Sequence, residues 1–178
     1  MAEARVARQM PVPETGGGEG KGRGAGSPGG DQGPGRMTMS FAPHPSFEYL
    51  PHVGELRLRL RGSSIADVLG QAALALAELL VPGRPPTGPE QVQEIVLEAP
   101  DRAALLIDWL NELLFLAERD RWLPSRIDLL EANETHLRAM ARGPVLECAP
   151  SLVKAATWHG LRFEVGDGGF EAEVLLDI

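Results

Sequence analysis

The stretch ELRLRLRGSSIADVLGQAALALAELL, residues 55–80, decides the fold because it contains a strand pattern followed directly by a helix pattern. Leucine and arginine alternate strictly over residues 56–61, which is typical of a strand with one buried face. Ser63 or Ser64 then predicts a helix N-terminus, with Asp67 in the capping-box position three residues after Ser64. Apolar residues recur at helical spacing to the end of the stretch, so this helix also has one buried face.

The sequence downstream repeats both patterns. VQEIVLEA, residues 92–99, predicts a second strand, and Asp101 caps a second, longer helix. Two hairpins follow, with turns at Asn133-Glu134 and at residues 166–169. This order predicts an α+β domain in which two helices pack on one face of a mainly antiparallel β-sheet.

The second helix, DRAALLIDWLNELLFLAERD, has a broad apolar stripe. Trp109 and the leucines at helical spacing around it form this stripe, which we interpret as core rather than as a cofactor site. The polar side chains that we expect to face away from the core are Arg102, Asp108, Asn111, Glu112 and Glu118.

The arginine row of the first strand raises the question of nucleic-acid binding. Such a row could be a basic stripe for RNA, but it is more often a solvated face. Residues 46–178 carry 12 basic and 21 acidic residues, a net charge of −9. That balance argues against a broad basic footprint and suits a protein partner or a metal cation better. We therefore expect no strong direct binding of nucleic acid.

Residues 1–45 differ in composition from the rest of the chain. Glycine and proline dominate them, and we expect a disordered tail before a folded domain at residues 46–178. Met37 or Met39 could be the true start. No apolar run reaches the roughly 18–20 residues needed to span a bilayer. The lone Cys148 excludes an internal disulfide framework and fits a reducing cytosol, so we expect a cytoplasmic protein that does not bind membranes.

Two short segments carry groups that could bind a metal cation. PHVGE places His52 near Glu55, but its proline and glycine argue against a helix, and it is not an H-E-x-x-H zinc motif. At the end of the last predicted strand, Asp177 and Ile178 place a β-carboxylate and an α-carboxylate one residue apart, where they could hold Ca²⁺ or Mg²⁺. The plainer alternatives are a turn role for His52 and a frayed chain end.

Lys154, in the stretch VKAATWHGL, is one of only two lysines among 17 basic residues. Its ammonium is a compact charge on a flexible stem, whereas the guanidinium of arginine is a planar fork. With Thr157 and His159 it forms a further candidate cluster, although no serine or cysteine nucleophile adjoins it. Chance placement at the surface is the plain alternative.

Four motifs in this order together resemble the archease family. They are FEYLPHVGELRLRLRG, LLIDWLNELLFL, VKAATWHGL and the terminal LLDI, and the resemblance covers about residues 47–178. Family members typically read Y-x-D/E-H-T-A-D-V-G-I near the start, L-L-x-x-W/F-L-x-E-L-L on the second helix, I-K-A-V-T-Y-H late in the chain, and D-I at its end.

The resemblance implies a small α+β protein that is not itself an enzyme. Archeases activate RtcB-type RNA ligases, which join RNA ends in tRNA splicing and RNA repair. They promote guanylylation of the ligase histidine by GTP and allow multiple turnover. GTP would therefore be bound only through the partner ligase.

The resemblance also implies roles for particular residues. A divalent cation, Ca²⁺ or Mg²⁺, would be held by Glu55, Asp177 and the carboxylate of Ile178. The essential lysine of the family falls on Lys154. The further residues implied to act on the partner are His52 and His159.

The chain departs from the family pattern at several positions. Glu55 stands where the family has aspartate, and its extra methylene moves the carboxylate by roughly 1.5 Å. The usual Gly-Glu reads Gly143-Pro144, the polar residue before the lysine is Leu152, and the usual tyrosine is Trp158.

Two other functions remain open on the sequence. One is a metal-dependent hydrolase of phosphate esters that uses the same carboxylates, although no nucleophile or second metal cluster is evident. The other is a metal-free, chaperone-like interaction module. Nothing resembles a heptad interface, so we expect a monomer, although the pattern leaves the oligomeric state open.

Overall fold

A computed structural model describes residues 5–7, 37–39, 47–52, 54–82, 88–150, 152–166 and 168–178 of the chain. Its helices are α1 (Ile65–Leu80) and α2 (Arg102–Arg119). Its strands are β1 (Arg5–Ala7), β2 (Met37–Met39), β3 (Phe47–His52), β4 (Glu55–Gly62), β5 (Glu90–Glu98), β6 (Arg126–Ala132), β7 (His136–Pro144), β8 (Ala155–Gly166) and β9 (Gly169–Asp177).

The strands form two antiparallel sheets. One has the order β1-β5-β7-β6-β2, and the other has the order β3-β4-β9-β8. The helices contact each other, and each contacts strands of both sheets. The α+β prediction is confirmed. The division of the strands into two sheets is a feature that the sequence pattern did not specify.

The four-stranded sheet joins the two ends of the domain. β4 pairs along its whole length with β9, and β9 pairs on its other side with β8. The β6–β7 and β8–β9 hairpins lie where the turn residues predicted them. The β3–β4 hairpin was not predicted, because FEYLPH lacks a clear alternation.

The segment predicted to be a tail contributes two short strands. β1 pairs with β5 and β2 pairs with β6, at the two edges of the five-stranded sheet. The remainder of residues 1–45 lies outside the described residues. Disorder of the tail and a start at Met37 or Met39 therefore stay predictions.

Local interactions account for the start of each helix. Ser64 is the cap of α1, because its hydroxyl accepts a hydrogen bond from the Asp67 N–H at 3.0 Å. The Asp67 carboxylate accepts in turn from the Ser63 N–H at 2.9 Å. Asp101 caps α2 by accepting from the Ala104 N–H at 2.8 Å.

The core lies where the apolar pattern placed it. Leu58 and Leu60 of β4 are fully buried, as is Trp109 of α2. The indole N–H of Trp109 donates to the main-chain oxygen of Leu69 at 2.9 Å, which joins the two helices. The Trp–Leu stripe of α2 is therefore core. Within the described residues, no helix is long and apolar enough to cross a membrane.

The opposite face of β4 carries ion pairs rather than an unmatched basic stripe. Arg59 contacts Glu173 at 2.8 Å and Glu48 at 3.6 Å, on the two neighbouring strands. Arg61 contacts Glu171 at 2.9 Å. Carboxylates of β3 and β9 thus neutralise much of the arginine row.

Candidate functional site

A single row across the four-stranded sheet contains most of the predicted site. His52 lies opposite Glu55, Glu55 opposite Asp177, and Asp177 opposite Ala155 in the strand registers. Directly opposed residues of antiparallel strands have Cβ atoms about 4.5–5.5 Å apart and project side chains to the same face. The structure therefore brings the Glu55 and Asp177 side chains together at one end of the sheet.

A tight turn sets this register. The β3–β4 hairpin turns between His52 and Glu55, and Gly54 has a φ of +72°. Glycine adopts this left-handed conformation without the steric cost that a Cβ would add. The turn ends at Glu55, which is the first residue of β4, so the carboxylate stands at the extreme end of the strand.

Lys154 reaches the same end of the sheet from the chain segment before β8. Its main-chain N–H donates to the main-chain oxygen of Asp177 at 2.8 Å. Its Nζ donates to the main-chain oxygen of Ile178 at 3.1 Å, and the side chain is exposed. We call Glu55, Lys154, Asp177 and Ile178 the acidic tip.

His159 lies apart from this row. β8 loses its register with β9 between Thr157 and Arg162, where four residues of β8 stand opposite Val174 alone. His159 and Trp158 are exposed in this bulge, and 61% of the Trp158 surface is accessible. Gly160, with a φ of +65°, completes the bulge.

The donor set of the acidic tip suits a hard cation. Carboxylate oxygens are the ligands that Ca²⁺ and Mg²⁺ prefer. No group of three or more His, Cys, Asp or Glu side chains that could hold a metal occurs in the described part of the chain. Beside Glu55 and Asp177, the Ile178 carboxylate is the third predicted ligand. The ligand roles stay predictions.

Asn111 is a residue near the acidic tip that sequence reasoning placed wrongly. It was expected to face away from the core, but its Nδ2 donates to the Ala156 main-chain oxygen at 3.1 Å. Its Oδ1 accepts from the Ala156 N–H at 2.9 Å. The only indication in the sequence is a carboxamide among charged side chains on one face of the helix. It does not show which strand this side chain contacts.

A cavity of about 530 Å³ adjoins Lys154. The second half of α2 lines one side through Asn111, Phe115 and Glu118. The other side is lined by Ala149, Pro150, Val153 and Lys154. Phe115 is 46% exposed beside it. The predicted lysine therefore stands between the carboxylates of the sheet end and a groove on α2.

Glu112, next to Asn111 on α2, is a half-buried acid. Burial is the main cause that raises the pKa of its carboxyl group, Asp120 adds to this effect, and Arg119 opposes it. Its Oε1 is buried without a hydrogen-bond partner among the described residues. Burial likewise raises the pKa of Asp108. Both acids lie on the face of α2 that was predicted to point away from the apolar stripe, and both are only partly exposed.

Known proteins are similar to this chain in sequence and in fold. The family model described as "Archease protein family (MTH1598/TM1083)" matches residues 47–178. The protein archease of Methanosarcina mazei is 31% identical over 140 residues, which are 74% of this chain and 95% of that protein. The protein archease of Methanopyrus kandleri is 32% identical over 139 residues, covering 74% of this chain and 99% of that protein.

A solved structure extends the likeness to three dimensions. The solution structure of Methanobacterium thermoautotrophicum protein 1598 is similar with a TM-score of 0.56 and 28% sequence identity. The similarity covers 76% of this chain and 100% of that one. The family match spans the whole described domain from β3 to Ile178, including every residue of the acidic tip. The chain therefore belongs to the archease family.

Proposed function

We propose that this protein is a non-enzymatic activator of an RtcB-type RNA ligase. It promotes guanylylation of the ligase histidine by GTP and allows multiple turnover in tRNA splicing and RNA repair. Membership of the archease family supports the proposal. The observation that carries it furthest is the meeting of Glu55, Asp177 and Lys154 at one end of the sheet, from three distant parts of the chain.

The acidic tip holds a divalent cation, Ca²⁺ or Mg²⁺, in this proposal. Glu55, Asp177 and the Ile178 carboxylate would be its protein ligands. Carboxylates this close repel one another, so a cation between them is favourable. When bound, the cation supplies positive charge that can attract a phosphate of the GTP held by the ligase.

Lys154 supplies a second positive charge that can move. Its side chain is exposed, and its Nζ donates to an oxygen of Ile178, the residue whose carboxylate is a predicted cation ligand. A lysine ammonium acts on phosphate as a point charge and tolerates several approach directions. It can therefore contact a triphosphate oxygen or an acidic group of the ligase. Trp158 and His159, exposed on the β8 bulge apart from the acidic tip, are proposed as further contacts for the partner.

His52 has an indirect role in the proposal. It lies opposite Glu55 at the end of β3, and the turn that follows it fixes the position of that carboxylate. We place the complex in the cytoplasm, because the free, exposed Cys148 suits a reducing compartment. We also propose that the protein acts as a monomer.

The experiment is a guanylylation assay with the ligase of the same organism. Labelled GTP is incubated with ligase alone, with wild-type protein, with Lys154→Ala and with Arg162→Ala. Arg162→Ala is the matched control, since it removes an exposed cation of the same strand beyond the bulge. Wild type and Arg162→Ala should increase the rate of label transfer, and Lys154→Ala should reduce the stimulation by at least about tenfold.

Equal stimulation by wild type and Lys154→Ala would overturn the assigned role of the lysine, and no stimulation by wild type would overturn the function. Release of phosphate from model esters by the protein alone would indicate the hydrolase instead. Absence of Ca²⁺ and Mg²⁺ binding to the wild-type protein in a calorimetric titration would indicate the metal-free module.

A further inference from the structure

We propose that Asn111 is a positioning residue that holds the main chain around Lys154 in place. The proposal rests on the proposed function in one respect only, namely that Lys154 is the residue that acts on the ligase. The structural part, that Asn111 fixes this segment, stands on the hydrogen bonds alone.

One side chain uses both main-chain polar groups of Ala156. Asn111 Oδ1 accepts from the Ala156 N–H at 2.9 Å, and Asn111 Nδ2 donates to the Ala156 oxygen at 3.1 Å. β8 is an edge strand, because it follows β9 at the end of the sheet order. In an antiparallel pair, alternate residues turn their N–H and C=O away from the partner strand. The carboxamide of Asn111 therefore makes the two hydrogen bonds with the Ala156 main chain that a further strand would otherwise make.

The β8–β9 ladder is short where Lys154 joins it. It runs only over Ala155, Ala156 and Thr157 before the register breaks at the bulge. On the other side, the residues just before β8 are not in a strand. A ladder of this length opens easily, and local opening is where a functional segment loses its geometry. The bond of Lys154 N–H to Asp177 is at the end of this ladder.

α2 provides the rigid support that the short ladder lacks. Leu110 and Leu113, on either side of Asn111 in the helix, are 0% and 1% exposed. Val153 and Ala156, on either side of the Lys154-Ala155 pair, are 6% and 5% exposed. The segment from Val153 to Ala156 is thus held by β9 from one direction and by Asn111 from the other. Lys154 is the exposed residue within it.

The test measures amide hydrogen exchange by NMR in the full chain. Asn111→Ala should speed exchange of the Ala156 and Lys154 amides by at least about tenfold, since it removes two hydrogen bonds from one residue. Amides in the core of α2 should be unchanged. Asn111→Asp keeps the acceptor for the Ala156 N–H and loses the donor, so it should restore part of the protection at Ala156.

Arg102→Ala is the matched control. Arg102 Nε donates to the Phe163 main-chain oxygen at 3.2 Å, so it is a second bond from an α2 side chain to the β8 main chain, beyond the bulge. It should leave exchange at Lys154 unchanged. Unaltered exchange at Lys154 and Ala156 in both Asn111 variants would overturn the positioning role. If Asn111→Ala does not fold, wild-type exchange at Ala156 in Asn111→Asp would overturn it alone.

The guanylylation assay then connects position with function. Asn111→Ala should lower stimulation by at least about fivefold, and Asn111→Asp should fall between it and wild type. In the Lys154→Ala background, Asn111→Ala should add no further loss, because the two residues act as one unit. An equal further loss in that background would overturn the proposal. If wild type gives no stimulation, the proposed function fails, and if Lys154→Ala stimulates like wild type, the assigned role of the lysine fails; in both cases the exchange data still decide the structural role of Asn111.

Discussion

At the scale of the residue, Gly143 on β7 shows how a single position can depend on having no side chain. A Cβ there would lie 1.9 Å from the Leu123 main-chain oxygen and 2.8 Å from the Pro124 Cα. The Gly143 oxygen also accepts from the Trp122 indole N–H at 3.0 Å. Both neighbours of the missing Cβ are main-chain atoms, which cannot move away cheaply.

Gly143→Ala is therefore expected to lower the free energy of unfolding by at least about 2 kcal/mol. The measurement is urea unfolding followed by fluorescence. Gly168→Ala is the control, because a Cβ at Gly168 meets nothing within 4 Å. Equal urea midpoints for the two variants would contradict the close approach of β7 to residues 123–124.

Glu112 gives a prediction about pH. Burial raises the pKa of its carboxyl group in the folded protein, so the folded state holds this proton more tightly than the unfolded state does. The contribution of Glu112 to stability is therefore fully present below the unfolded pKa of about 4.3 and is lost as the pH rises through the raised folded pKa. Glu112→Gln removes this dependence.

The difference in unfolding free energy between Glu112→Gln and wild type should shift in favour of the variant as the pH rises from 4 to 7. Thermal or urea unfolding across this range measures it. Glu118→Gln, at an exposed position of the same helix, is the control for the amide substitution itself. A difference for Glu112→Gln that is constant with pH would mean that the side chain is solvated after all.

Residues also show what a sequence can and cannot predict at this scale. The two candidate caps Ser63 and Ser64 were distinguishable only by the capping-box spacing to Asp67, and Ser64 is the cap. Asn111 was misplaced because helical periodicity assigns a side chain to a face, but it does not say which strand lies against that face.

At the scale of the element, strand register creates the acidic tip. Glu55 begins β4 and Asp177 ends β9, and the full-length antiparallel pairing of these strands places the two residues opposite each other. A shift of one residue would move Asp177 to the other face of the sheet. The strand types, both helices and two hairpin turns followed from local patterns. The pairing of β4 with β9 did not, because it joins segments more than a hundred residues apart.

This register predicts the effect of Asp177→Asn on cation binding. Removing one of two facing carboxylates should weaken Ca²⁺ binding by about tenfold or more, measured by isothermal titration calorimetry. Glu171→Gln is the control, since Glu171 is on the same face of β9 and pairs with Arg61 instead. Glu55→Asp should retain binding, because it keeps the carboxylate at this position.

The cation assignment would be contradicted by wild-type protein that binds neither Ca²⁺ nor Mg²⁺. It would be contradicted equally by an Asp177→Asn variant that binds as tightly as wild type. Loss of binding in Glu171→Gln alone would move the site to the other end of the sheet.

At the scale of the whole molecule, the α+β class and the family were predictable, whereas the two-sheet architecture was not. Each element pattern reports what one side of that element buries. These patterns do not show that α1 contacts strands of both sheets, or that β9 lies beside β4. The convergence of Glu55, Asp177 and Lys154 was suggested by family resemblance, and its geometric cause became visible only in the sheet order.

The central claim is that the acidic tip is the surface that meets the ligase at its nucleotide site. Leu152, two residues before Lys154, is 49% exposed, and Leu130, on β6 of the other sheet, is 37% exposed. Replacing each in turn with the photo-crosslinking residue p-benzoylphenylalanine tests both surfaces with little disturbance of the core.

The decisive measurement is mass-spectrometric mapping of the crosslinks that each variant forms with the ligase. We expect the variant at position 152 to crosslink to ligase peptides that line the GTP site, and the variant at position 130 to give no crosslinks there. Crosslinks to the GTP site from position 130, or crosslinks from position 152 that all lie elsewhere on the ligase, would contradict the account.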